Sequence, residues 1–312
     1  MVALSRGCLC WDNPVPAWRM AGQGGRIWSH GENVMKWQTR SVCLLALLLS
    51  VTTEVLAASP GFPPVTIANS ELRTLESKAT GRSYDLYIRK PADYDKDPNK
   101  KYPVLYLLDG QWHFKLLDAV VGGLVYDKWM PDIIVVGITY SGDKPDYEAL
   151  RAMDYTPSPG PQKGSGDGPK FLTFIKTEVI PITEKNYRVD PARRILGGHS
   201  FGGLFTLYAM FTEPTLFWGY LAGSPVIPWD NDYLVRQEQH YFENHKDLPV
   251  RLFMAAGGAE QLMTPGLNFA RTLASRHYMG LHWDGRVIEG ERHAGMLPEY
   301  YNRGLRFLFS PE

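Results

Sequence analysis

Residues 198–202 read Gly198-His199-Ser200-Phe201-Gly202. A short apolar run, Arg194-Ile195-Leu196-Gly197, precedes this pentapeptide, and an apolar, helix-like segment (203–210) follows it. A serine on a sharp turn between a strand and a helix projects its hydroxyl outward, and small residues two positions before and after keep the strained backbone free of clashes. The pattern therefore predicts a nucleophile elbow at Ser200. The alternative is a serine that only caps the following helix.

Along the rest of the chain, apolar strand-like runs alternate with longer helical patterns, which is typical of a mostly parallel sheet with helices on both faces. Most of these runs are continuously apolar, which indicates strands covered on both sides. The predicted strands are 84–89, 104–108, 133–140, 194–198, 219–222, 250–256 and 282–288. The predicted helices are 114–125, 170–186 with a kink at Pro181, 203–210, 231–244, 267–279 and 299–309, and 157–169 is an insertion-like loop. The expected fold class is α/β, a three-layer sandwich around a mostly parallel sheet.

Residues 35–57 have the features of a secretory signal peptide. A cationic start after Met35 leads into an apolar run (42–51), and small residues near Ala57 suit a signal peptidase. A run of about ten apolar residues is too short to anchor the chain in a bilayer. We therefore expect cleavage near Ala57, a periplasmic or secreted protein without stable membrane anchoring, and a single catalytic domain over 58–312. Residues 1–34 are expected to be an extension from a start codon placed too early.

Cysteine usage and charge exclude several classes of function. Cys8, Cys10 and Cys43 all precede the expected cleavage site, so thiolate chemistry and disulfides are not expected afterwards. The 33 Lys and Arg balance the 33 Asp and Glu, which leaves no electrostatic footprint for nucleic acid or anionic membrane. The chain lacks the H-E-x-x-H pattern of zinc hydrolases, so we expect neither a metal nor another cofactor. Its partner should be a small molecule.

A serine nucleophile needs a base, because its hydroxyl is inert at neutral pH. In an α/β fold of this class the three residues follow one another along the chain as serine, acid and histidine, with the histidine on a loop after the last strand. Among the eight histidines only His293 has this position, and the alternative is a surface-loop histidine. His199 is expected to pack beside the elbow, while His277 and His282 are expected to be structural or solvent-facing.

The acid is expected at Glu260, on the glycine-containing turn that ends the predicted strand 250–256. This turn lies at the sheet edge where open α/β sheets bind ligands. Glu260 would accept the Nδ1 proton of His293 and stabilise the imidazolium. Asp230 and Asp232, after the preceding strand, are the alternatives, although either aspartate would also serve as a helix cap.

The oxyanion hole should combine the backbone N–H of Phe201 with that of Gly110 or Gln111, which follow an early strand. The alternative is that Asp109 and the residues after it form an ordinary turn without a catalytic role. Aromatic residues near the expected mouth would form an apolar or catechol-stacking wall, and Arg151 would offer charge to an anionic ligand. The alternative for each is packing. These aromatic residues are Trp112, Phe114, Tyr155 and Trp229.

Several segments together carry a family resemblance. They are the segment 102–110, the motif 198–203, Ser224-Pro225, and Glu260 with His293. From about Leu72 to the C-terminus the chain resembles the "Putative esterase" family of α/β-hydrolases. That family includes esterase D-type S-formylglutathione hydrolases, feruloyl esterases, mycolyltransferases and the trilactone hydrolases that open enterobactin-type siderophores. An exported single-domain member is most similar to the siderophore esterase branch, since the thiol-ester branch is usually cytosolic.

The resemblance implies hydrolysis of a carboxylic ester through an acyl-enzyme, with an enterobactin-type trilactone as the suggested substrate. Acyl transfer by the same three side chains is one alternative, because the outcome depends on how well the pocket excludes water. A non-catalytic ligand-binding scaffold is another. Peptidase activity is also open, although no lid or propeller domain is available to gate peptides.

Overall fold

The computed structural model describes residues 63–311, which form one eight-stranded sheet and the helices that cover it. The predicted signal peptide and the segment before it lie outside the described residues. The strands are β1 (Ser70–Glu76), β2 (Ser83–Arg89), β3 (Tyr102–Leu107), β4 (Ile134–Tyr140), β5 (Val189–His199), β6 (Gly219–Gly223), β7 (Arg251–Gly257) and β8 (His282–Ile288). Their order in the sheet is β1-β2-β4-β3-β5-β6-β7-β8.

The sheet is mostly parallel, as the continuous apolar runs predict. Only the β1–β2 and β2–β4 pairs are antiparallel, and every pair from β4 through β8 is parallel. Each residue of β3 and β4 is buried, because helices cover both faces. Parallel strands end at a common edge, so the segments that follow β3, β5, β6, β7 and β8 meet there.

Helices form the two outer layers. They are α1 (Gly110–Tyr126), α2 (Tyr147–Asp154), α3 (Gly168–Phe174), α4 (Ile180–Asn186), α5 (Phe201–Thr212), α6 (Tyr233–Asn244), α7 (Met263–Arg276) and α8 (Leu297–Phe309). Helices α1 and α8 pack against one face, and α2 to α7 pack against the other. The predicted α/β class and three-layer sandwich are therefore confirmed. None of the helices within 63–311 is long and apolar enough to cross a membrane.

The segment predicted as one kinked helix (170–186) is three elements. Helix α3 continues into a π-helical stretch, Ile175–Val179, and then into α4. The N–H of Ile180 donates to the carbonyl of Ile175, five residues back. Because Pro181 has no N–H to donate, the regular four-residue ladder is interrupted at this point and a π-bulge absorbs the irregularity.

An edge strand, β1, and a short helix, α2, are not among the elements predicted from the sequence. Strand β1 lies at the edge of the sheet and is largely exposed, so it lacks the apolar run of a central strand. Helix α2 has only eight residues, fewer than a periodic pattern needs to be distinctive.

Candidate active site

Ser200 occupies the turn between β5 and α5 with φ 61° and ψ −119°. This strained backbone conformation is rare for a residue with a side chain and points to a functional constraint. The N–H of Ser200 donates to the carbonyl of Gly223 at 2.9 Å, which ties the turn to the end of β6. A Cβ on Gly198 would overlap the carbonyl of Gly202, and one on Gly203 would lie 2.5 Å from the carbonyl oxygen of Gly223. The glycines therefore permit the tight strand-to-helix turn.

His293 and Glu260 come together from the loops after β8 and β7. Nδ1 of His293 lies 2.5 Å from Oε2 of Glu260. The other carboxylate oxygen, Oε1, accepts hydrogen bonds from the hydroxyl of Ser224 at 2.5 Å and the N–H of Gly257 at 2.6 Å. The Glu260 side chain is only 5% exposed, whereas that of His293 is 42% exposed. A buried, fully hydrogen-bonded carboxylate thus orients an imidazole that solvent and ligands can reach.

Ser200 lies at the same edge of the sheet as His293 and Glu260. The ring of His199, its neighbour in sequence, packs against the ring of His293 with centroids 4.3 Å apart. The backbone N–H of Ser200 donates to the carbonyl of Gly223. The residue after Gly223, Ser224, donates its hydroxyl to the carboxylate of Glu260. The structure therefore brings all three residues of the expected Ser-Glu-His set to the carboxyl edge of the sheet.

The alternative acids have other surroundings. Asp230 accepts a hydrogen bond from the hydroxyl of Ser158 at 2.7 Å and faces Arg236. Asp232 takes the position before α6 but makes no side-chain capping bond there. Of the three carboxylates, Glu260 is the one paired with His293.

Two helix N-termini meet beside Ser200. Helix α5 begins at Phe201 and α1 begins at Gly110. The first N–H groups of a helix have no acceptor within it, and the positive end of the helix dipole favours negative charge there. Gly110 packs so closely on β4 that a Cβ would lie 2.8 Å from the carbonyl carbon of Gly137. The side-chain amide of Gln111 is buried without a hydrogen-bond partner in the described part of the chain.

The residues expected to line the mouth are placed differently from one another. Trp112 is 42% exposed. Phe114, Tyr155 and Trp229 are instead buried in the core, and the Trp229 indole N–H donates to the carbonyl of Ser158. Arg151, expected to meet an anionic ligand, is buried and pairs with Asp109 through two hydrogen bonds. The guanidinium charge is therefore already compensated within the protein.

Three buried polar side chains lie behind His293. Burial lowers the pKa of His199 well below the usual 6.5, and the nearby His293 and His113 lower it further. Burial also lowers the pKa of His113, whose Nδ1 lies 2.9 Å from the hydroxyl of Tyr301. Both histidines are thus neutral at physiological pH, so neither places a second positive charge beside His293.

The hydrogen bond from Ser224 to Glu260 was not predicted from the sequence. Ser224 belongs to the Ser-Pro pair of the family resemblance, but no role was expected for it. The available signal was its position directly after β6, between the strands that lead to Ser200 and Glu260. Within residues 63–311, no group of three or more His, Cys, Asp or Glu side chains is arranged to hold a metal ion.

Comparison with known proteins assigns the family. Residues 77–280 match the family described as "Putative esterase". Ferri-bacillibactin esterase BesA of Bacillus subtilis is 30% identical over 270 residues, which cover 79% of this chain and 92% of BesA. The siderophore triacetylfusarinine C esterase of Aspergillus fumigatus is 31% identical over 207 residues, covering 64% of this chain and 70% of that protein.

A solved structure has the same fold. The crystal structure of the BES protein from Bacillus cereus superimposes with a TM-score of 0.73 at 29% identity, covering 81% of this chain and 99% of that one. The fold defines an α/β-hydrolase, with Ser200 on the sharp turn between β5 and α5. The chain belongs to the "Putative esterase" family, and as a member it is a carboxylic ester hydrolase.

Proposed function

We propose that this protein is an exported serine esterase that opens the ester bonds of a siderophore, such as an enterobactin-type trilactone, through a Ser200-His293-Glu260 triad. The observation that carries the proposal is the contact between His293 and Glu260, 2.5 Å from Nδ1 to Oε2, beside the strained turn of Ser200. In such a triad the acid orients the histidine, and the histidine takes the proton of the serine.

In the proposed reaction, His293 takes the proton of Ser200 as the Oγ attacks the ester carbonyl carbon. The carbonyl π electrons move to oxygen, and the N–H groups of Phe201 and of Gly110 or Gln111 receive the resulting oxyanion. Glu260 stabilises the imidazolium formed on His293. When the tetrahedral intermediate collapses, the alcohol leaves with the proton from His293, and an acyl-enzyme remains on Ser200. Water then repeats the sequence and releases the acid.

The siderophore substrate is supported by the relatives. Two of them, from a bacterium and a fungus, carry names as esterases of different siderophores, ferri-bacillibactin and triacetylfusarinine C. The exposed indole of Trp112 follows the proposed oxyanion-hole residues and offers a flat surface on which an aromatic ring of such a ligand would stack. Such stacking would favour a catecholate over an aliphatic acyl group.

Export rests on the composition of residues 35–57, and it would place the enzyme outside the cytoplasm. N-terminal sequencing of the protein recovered from the periplasm or culture fluid tests this part. A mature chain that begins near Ala58 supports it, and a cytoplasmic protein that retains residues 35–57 contradicts it.

The chemistry is tested with p-nitrophenyl acetate and with an intact catecholate trilactone followed by chromatography. Wild-type protein should hydrolyse both, and Ser200→Ala should hydrolyse neither. Equal rates for the two proteins would falsify the nucleophile assignment and leave a binding scaffold. Cleavage of simple esters without opening of the trilactone would remove the siderophore substrate alone. Transfer of the acyl group to an added alcohol, in preference to water, would favour an acyltransferase.

A further inference from the structure

Asp109 controls the start of α1, one arm of the proposed oxyanion hole. Its backbone is left-handed, with φ 58° and ψ 43°, and its side chain is fully buried. Its N–H faces the hydroxyl of Tyr155 at 3.3 Å, and its carbonyl accepts the N–H groups of Trp112 and His113 at 3.0 and 3.1 Å. The carbonyl of Asp109 thus engages the third and fourth residues, while the N–H groups of the first two helical residues have no acceptor within α1.

Arg151 holds this turn from α2. Its Nε donates to Oδ1 of Asp109 at 2.6 Å, and its Nη2 donates to Oδ2 at 3.0 Å. Only a guanidinium offers two parallel donors in this geometry. Cζ of the same guanidinium lies 5.0 Å from the ring centroid of Trp112 and 5.9 Å from that of Phe201. Arg151 therefore contacts residues of both arms of the hole, the start of α1 and the start of α5.

The charge of Asp109 would by itself oppose the reaction. A Cβ placed on Gly202 would lie 3.5 Å from Oδ2 of Asp109, so this carboxylate is adjacent to the first turn of α5. In a buried site, where charges are weakly screened, an unpaired carboxylate there would raise the energy of an oxyanion held at the N–H of Phe201. Pairing with Arg151 compensates that charge.

We propose that Arg151 is a positioning residue for the oxyanion hole. It fixes the Asp109 turn that aims the N–H groups of α1, packs against Phe201 on the other arm, and neutralises the carboxylate between them. The inference rests on the proposed esterase function. The proposed role of Arg151 differs from substrate recognition, because its Nε and Nη2 already donate to Asp109 and its side chain is only 8% exposed.

The experiment compares kcat and KM for two esters, p-nitrophenyl acetate, which is uncharged, and mono-p-nitrophenyl terephthalate, whose acyl group carries a carboxylate that cannot reach its own ester carbonyl. Arg151→Met should lower kcat on both esters by about 10- to 100-fold, with KM changed by less than about threefold. Arg151→Lys, which keeps the charge but not the paired donors, should recover part of kcat. An arylboronic acid forms a tetrahedral anionic adduct on serine. Its inhibition constant should rise by about the same factor by which kcat falls.

Arg82→Met is the matched control, since Arg82 pairs with another buried carboxylate, that of Asp154, which is the last residue of α2. It should lower the melting temperature as Arg151→Met does but keep kcat within about twofold of the wild type. An equal loss of kcat in this control would reduce Arg151 to a structural role and overturn the proposal.

Two further outcomes decide the proposal. A defect confined to KM for the terephthalate ester would make Arg151 a substrate-binding residue and overturn the proposal. The double variant Asp109→Asn/Arg151→Met should be faster than Arg151→Met alone, and a double variant that is no faster would overturn the electrostatic part. Absence of Ser200-dependent hydrolysis in the wild type would instead reject the proposed function itself.

Discussion

Ser224 donates its hydroxyl hydrogen to Oε1 of Glu260 at 2.5 Å, on the side of the carboxylate away from His293. Ser224 is fully buried at the end of β6, so water cannot replace this bond without rearrangement. The carboxylate is thereby held from three directions, by Ser224, Gly257 and His293. The orientation of the proposed acid thus depends on a residue that is not itself part of the triad.

Removal of that hydroxyl should slow the enzyme without abolishing it. A hydrogen bond to a charged group contributes about 1.5–3 kcal/mol, and only part of that loss should appear in the transition state. We expect Ser224→Ala to lower kcat on a p-nitrophenyl ester by about fivefold to tenfold. Ser158→Ala removes a comparable hydroxyl–carboxylate bond, to Asp230, and should leave kcat unchanged. Equal effects of the two substitutions would contradict the role of Ser224.

The identity of the acid is tested by two neutralising substitutions. Glu260→Gln should lower kcat by about a thousandfold to ten-thousandfold, because an amide cannot hold the required tautomer of His293 or stabilise its charged form. Asp232→Asn should keep kcat within about twofold, since Asp232 makes no capping bond and Glu260 is the carboxylate at His293. Steady-state kinetics on one ester suffices. Loss of turnover only in the aspartate variant would assign the acid to Asp232.

The elbow should not tolerate a methyl group at Gly198. Its Cβ would overlap the carbonyl of Gly202, so Gly198→Ala should destabilise the fold by about 1–3 kcal/mol and abolish turnover. Gly122→Ala is the matched control, because Gly122 lies inside α1 with nothing within 4 Å of an added Cβ. It should stabilise the protein by about 0.5–1 kcal/mol. Urea unfolding measures both, and a Gly198→Ala variant as stable as the control would refute the steric account.

The buried histidines should make the fold sensitive to mild acid. His199 and His113 have pKa values lowered by burial from the usual 6.5, so below pH 6.5 the unfolded chain takes up protons that the folded chain does not. Their contribution to stability is complete above pH 6.5 and is lost as pH falls below it. The slope is about 1.4 kcal/mol per pH unit for each histidine.

The measurement is the free energy of unfolding at several values between pH 5 and 8, for wild type and His199→Phe. The variant should show a shallower loss below pH 6.5, and parallel curves would show that His199 takes up its proton equally in the folded and unfolded states. Burial raises the pKa of Asp154 to about 6, which has the opposite effect between pH 3.8 and 6. That contribution is present in both proteins and cancels in the comparison.

The central strands could be predicted because they are buried on both faces, so their sequences are continuous runs of apolar residues. The predicted strand 133–140 agrees with β4 (Ile134–Tyr140) within one residue. Strand β1 has no such run, since the edge of the sheet leaves most of its side chains in solvent. The limits of the π-helical segment depend on local hydrogen bonding around Pro181, which apolar periodicity does not encode.

The sequence by itself determined the fold class, the elbow around Ser200 and the candidacy of His293 and Glu260, because each follows from a local pattern or from chain order after a strand. Only the tertiary structure distinguished Glu260 from Asp230 and Asp232 by its contact with His293. Only the tertiary structure showed that Arg151 is buried and paired with Asp109 instead of being free for an anionic ligand. Hydrogen bonds of this kind join residues far apart in the chain, and their geometry is decided by how strands and helices pack, which local residue patterns do not specify.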